Sequence, residues 1–176
     1  ADRLTQKAHS AGSGQGIDMV ISHHPTGHAL ASLHEVMDLQ IDMYKDAGVP
    51  ENVAQALFEE RMSTVKRGIG PLNHAQAVDA ARLLDIPLMA IHTVWDNLGN
   101  DFMHKYIAKK EKEFETAGEL LDYINEIPEF VEAIRGKSGP SIVSGNEKSR
   151  IGKIAISFTG GTNPSKQLYM ELAKAG

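Results

Sequence analysis

Hydrophobic positions change their period several times along this chain, and each change predicts an element. Ile17, Met19, Val20 and Ile21 make a short apolar run that stops at Pro25, the pattern of a buried strand. From Gly27 the period lengthens. Leu30, Leu33, Met37, Ile41 and Tyr44 recur at three- and four-residue steps, which predicts one helix ending at Gly48. Pro50 and Glu51 suit the first turn of a second helix, whose stripe is Val53, Leu57, Phe58, Met62 and Val65. Gly68 to Pro71 breaks that helix. Asn73 then serves as N-cap of a third, with Val78, Ala81 and Leu84 as its buried face. Pro87 opens a second strand, Leu88 to Ile91, which delivers His92 and Asp96.

A further helix runs to about Phe114, and its Lys109 to Glu113 charge run reads as a solvated face. Thr116 and Glu119 fit a capping box for a short helix ending before Pro128. Ser141 to Ser144 and Lys153 to Phe158 read as two more strands. The Thr159–Gly160–Gly161–Thr162 turn follows, and then a final helix from Pro164 to Ala175. At the other end, Asp2 to Ala8 reads as the tail of a helix before the flexible AHSAGSGQG stretch. Strands alternating with helices predict one α/β domain over 1–176 with a largely parallel or mixed sheet. Both ends read as cut: a helix opens the chain, and Ala175–Gly176 stops a helix after which this architecture normally supplies a strand.

Composition narrows the function. A chain of 176 residues that is 41% apolar holds a real core and is not a disordered protein. No apolar run approaches the roughly 20 residues that span a bilayer, and the polar start shows no secretory pattern. The expectation is a soluble, cytoplasmic protein. It has no cysteine, which excludes disulfides, zinc thiolates and cysteine nucleophiles. A net charge of −5 disfavours a broad nucleic-acid surface. Eight histidines, two of them adjacent, are a generous supply.

Those histidines supply the candidate chemistry. Ser22–His23–His24–Pro25 ends a strand, and ligands of open α/β sheets gather at the carboxyl ends of strands. Successive strand side chains point to opposite faces, so adjacent histidines serve two neighbouring metals more readily than one. The alternative is a pair of loop histidines that hydrogen-bond nearby backbone. The second strand ends in His92–Thr93, with Asp96 four residues after His92. A carboxylate there can bridge two metals while His23 and His24 complete part of each shell. His92 is a ligand or orients Asp96 from beside it, and Asp96 alternatively caps the next helix. Three or four donors fall short of what two metals want. His28, His34 with Asp38, His74 and His104 are the further candidates. The Thr159–Thr162 glycine turn matches no phosphate-binding motif and reads as an ordinary strand-to-helix turn.

The stretches IDMVISHHPTGHALASLHEVMDLQ, NHAQAVDAARLLDIPLMAIHTVWDN and GKIAISFTGGT closely resemble the NIF-three family, in its longer, archaeal-type branch. These are dinuclear-metal-centre proteins, often labelled GTP cyclohydrolase I type two. The resemblance implies a three-layer α/β/α fold and a toroidal homo-oligomer, commonly a hexamer of two trimers. It also implies two divalent ions per subunit, for which zinc, iron, manganese, cobalt and nickel all suit the donors. By motif, His23 and His24 match the family's ligand pair, Asp96 its aspartate and His92 the neighbouring histidine. The family's opening strand, and its closing histidine and acidic ligand, have no counterpart in these 176 residues.

Two functions of different class follow as expectations. One is a metal-dependent hydrolase acting on a nucleotide, phosphate-bearing or heterocyclic small molecule, with His92 moving protons. The other is a non-enzymatic interaction factor with a structural metal site and protein partners. A metal-storage or insertion chaperone is a third. No guanine pocket can be read from the sequence, and neither membrane nor nucleic acid is an expected partner.

Overall fold

The structure, a computed structural model, describes Ser10, Gly12 and residues 14–158 and 165–176. The expected helix tail at Asp2–Ala8 and the Thr159–Thr162 turn lie outside the described residues. The chain divides into two compact units, Ala1–Asn100 with Ser157–Gly176, and Asp101–Ile156. The fold is α/β, with an incomplete sheet. Among the described residues, no helix is long and apolar enough to cross a membrane.

In the first unit, strands β1 (Val20–Ser22) and β2 (Leu88–Ala90) pair in parallel, with Val20 opposite Leu88 and Ser22 opposite Ala90. The ladder continues past both strands, from the Val20 N–H to the Pro87 carbonyl and from the Ile91 N–H to the Ser22 carbonyl. The apolar run before Pro25 is not buried as its pattern suggests. Ile17, Met19 and Ile21 are 45, 43 and 53% exposed. Strand side chains alternate between faces. Ile21 and its register partner Met89 therefore share one face, and both are exposed, whereas Ser22 on the other face is buried.

The periodic segment after Gly27 forms three pieces instead of one helix: α1 (His28–Ala31), a 3₁₀ turn (Leu33–Val36) and α2 (Leu39–Asp46). Ser32 leaves the helical region at φ −92°, ψ 12°, where the next turn tightens. Gly27 starts the segment at φ 63°, ψ −135°, a conformation in which a side chain is strained. Its N–H donates to the His74 carbonyl at 2.8 Å.

Helices α3 (Glu51–Ile69) and α4 (Gln76–Leu83) follow as the periodicity predicts, although α4 begins after Ala75 and not at Asn73. Across the crossover from β1 to β2, Met37, Tyr44, Val49, Ala54, Phe58 and Val65 form the core. Leu168 of helix α8 (Lys166–Lys174) joins them. The Ser165 hydroxyl accepts from the Leu168 N–H and caps α8.

Helix α5 (Thr93–Ile107) carries the chain into the second unit, which also holds α6 (Ala117–Ile124) and α7 (Pro128–Arg135). The expected capping box is present. Thr116 accepts from the Glu119 N–H, and the Glu119 carboxylate accepts from the Thr116 N–H. Tyr106 and Tyr123 stack with centroids 4.4 Å apart, and each hydroxyl donates to the other's carbonyl. The Lys109–Glu113 run is exposed, as a solvated face should be.

The two later strands are not formed. Val143 is 96% exposed, and Lys153–Phe158 has no strand ladder. Ile154 and Ile156 nevertheless pack on Met103, Ile107 and Ile127. Alternation there marked a buried face, and a buried face needs no backbone partner.

Phe58 is fully buried, so Phe58→Ala is expected to cost about 3–5 kcal/mol of stability by denaturant unfolding. A Cβ at Gly27 would meet Val78 Cγ2 at 3.2 Å in a strained conformation. Gly27→Ala should therefore lower stability by about 1–3 kcal/mol, measured in the same way. Burial, with a smaller contribution from Tyr169, pushes the Tyr44 hydroxyl up from 10.0 to about 12. The resulting stabilisation is complete below the unfolded value and is lost as pH rises through the folded one. Followed by circular dichroism, the unmodified protein should lose more stability between those values than Tyr44→Phe.

Candidate metal centre

Two strand ends and one helix start build the cluster. β1 releases His23 and His24 immediately after Ser22, whose buried hydroxyl donates to the His24 carbonyl at 2.9 Å. That bond ties the turn back on the strand end. β2 releases His92 two residues after Ala90, and α5 begins at Thr93. Asp96 lies in the first turn of α5, its N–H bonded to the His92 carbonyl at 3.1 Å. A carboxylate is favoured there by the helix dipole.

Asp96 is the buried centre of the group, at 8% exposure. Its Oδ1 lies 3.3 Å from His23 Nε2 and its Oδ2 lies 2.9 Å from His92 Nδ1. The His23 and His92 rings stack with centroids 4.5 Å apart. His23 remains open to solvent while His92 is largely covered. A carboxylate removed from water needs charge or hydrogen-bond compensation, and these two imidazoles are the partners it has at the cluster.

One donor atom each from His23, His92 and Asp96 lies within 4.8 Å of the others, so this group could bind a metal ion. Two imidazole nitrogens and one carboxylate oxygen are a donor set that divalent metal ions accept. His24 turns toward a different wall, its ring 5.2 Å from that of His23 and 6.0 Å from that of His92. It lines a cavity of about 430 Å³ together with His92 and His74. His74 Nε2 lies 2.8 Å from the Ile69 carbonyl. A carbonyl only accepts, so Nε2 is the donor of this bond.

Of the sequence candidates, His23, His92 and Asp96 come together, with His24 and His74 on the adjoining wall. His34 lies in the 3₁₀ turn and Asp38 at the N-cap of α2, and neither belongs to the group of His23, His92 and Asp96. His28 begins α1, and His104 belongs to the second unit. The sequence reading paired His23 and His24 with Asp96 and set His92 beside them, whereas the group that forms is His23, His92 and Asp96. A second cavity of about 500 Å³ meets His92 and Asp96, and its apolar wall of Leu33, Val36 and Leu39 had no distinct signal in the sequence.

No family model matches this chain, and no curated protein does. Among solved structures it is similar to the NIF3 superfamily protein from Sphaerobacter thermophilus, with 24% identity and a TM-score of 0.80. The match covers 99% of this chain and 62% of that one, so the chain spans less than two thirds of its relative's length. The geometry of β1, β2 and the crossover between them is thus that of a known architecture, and the chain has the NIF3-like α/β fold.

Proposed function

We propose that this chain is a NIF-three-type, metal-dependent hydrolase acting on a small molecule. The observation that carries the reading is Asp96, a buried carboxylate whose two oxygens face His23 and His92 separately. His23 and Asp96 would hold one divalent ion, and His24, whose ring lies 5.2 Å from that of His23, would contribute with Asp96 to a second. A divalent ion at this position supplies Lewis-acid activation of water and of a substrate oxygen. Asp96 fixes His92 through Nδ1, which leaves His92 Nε2 as the nitrogen that holds or moves a proton. Further donors for the second ion, and the toroidal homohexamer, belong to the same proposal. The cavities beside His92 supply room for the substrate.

Metal content tests the reading. Chelator-free protein analysed by plasma mass spectrometry should contain about two ions per chain, and His24→Ala should contain one fewer. Asp96→Ala should reduce the content at least about tenfold with an unchanged far-ultraviolet circular dichroism spectrum. An Asp96→Ala protein that keeps its metal would overturn the assignment, and metal-free native protein would leave the cluster as hydrogen-bonded histidines around a carboxylate.

A further inference from the structure

We infer that the cavity beside His92 and Asp96 receives the apolar part of the substrate, a short alkyl, acyl or aryl group. The inference rests on the metal reading for the position of the reacting end, and on the cavity itself for the rest.

The segment from Gly27 to Asp46 carries two apolar stripes. Met37, Ile41 and Tyr44 belong to the core. Ala29, Leu33, Val36 and Leu39 instead line the cavity that meets His92 and Asp96. Val36 and Leu39 are 58 and 52% exposed, so these two side chains of the second stripe are not committed to the core. Large apolar side chains left in water beside a polar cluster gain by covering each other with a ligand. About 500 Å³ is the size of a small-molecule site.

The charge of the walls points the same way. Among the described residues, neither this cavity nor the adjoining one, which shares Pro25, Leu33 and His92, is lined by a lysine or arginine. A triphosphate needs such cations or a set of backbone donors. Thr93 and Asn97 offer neutral hydrogen bonds only. The walls therefore suit a neutral or singly charged molecule whose polar end reaches Asp96 while its apolar end lies along Leu33, Val36 and Leu39.

Alkyl hydroxamates test this, because the metal-binding head stays constant while the tail grows. Cobalt-loaded full chain is titrated calorimetrically with the series from acetohydroxamate to octanohydroxamate, and cobalt absorption reports the head group separately. Affinity should rise about fourfold per methylene until the cavity is full, and Leu39→Asp or Val36→Asp should flatten that rise. Cobalt binding with no dependence on tail length in the unmodified protein overturns the cavity inference and leaves the metal reading standing. Failure to take up cobalt overturns the metal reading. The corresponding alcohols then decide the cavity: binding that strengthens with tail length and is lost in Leu39→Asp sustains it, and no such binding overturns it.

Discussion

Parallel pairing of β1 with β2 is the constraint on which the cluster depends. Parallel strands end at the same edge of a sheet, so the residues after Ser22 and after Ala90 emerge side by side. Antiparallel pairing would send His23 and His92 to opposite ends. The pairing is short, three residues on each strand, and gains its definition from neighbouring bonds. The Pro87 and Ser22 carbonyls extend the ladder by one bond at each end, and the Ser22 hydroxyl holds the His24 turn.

Parallel strands cannot be joined by a tight turn, so the crossover has to be stable for the cluster to exist. Its stability comes from α2 and α3 packing around Met37 and Phe58, with Leu168 of α8 closing that core. Gly27 links the two tasks. It starts the crossover three residues after the histidine pair and bonds the backbone of His74, which lines a cavity with His24 and His92. The second unit has a separate core around Met103, Ile107 and Ile127, reinforced by the reciprocal Tyr106–Tyr123 bonds.

Within the site, burial and chemistry are graded. Asp96 is covered, His92 partly so, and His23 open, so a carboxylate is presented from below while an imidazole meets solvent. The helix start under Asp96 and the two imidazoles compensate its negative charge without any lysine or arginine on the cavity walls among the described residues. A buried carboxylate flanked by imidazoles in this way could bind a metal ion. The apolar stripe of Leu33, Val36 and Leu39 lines the cavity beside it.

By itself, the sequence determined which residues are candidates for chemistry and roughly where helices run. The HHP and HT-x-x-D motifs, the α3 stripe and the Thr116–Glu119 capping box depend on local spacing, and local spacing is written in the chain. That His92 joins His23 and Asp96 in one group, while His24 lines the cavity beside it, was decided by the tertiary structure. Tertiary structure alone decided what is covered. Alternation made Ile17–Ile21 look buried, but burial needs a partner layer, and that face of β1 is exposed. The same alternation made Lys153–Phe158 look like a strand, but a strand needs a paired backbone, and Ile154 and Ile156 found apolar contacts without one. The break at Ser32, which divides one apolar period between a core and a cavity, likewise arises from packing and not from any local signal.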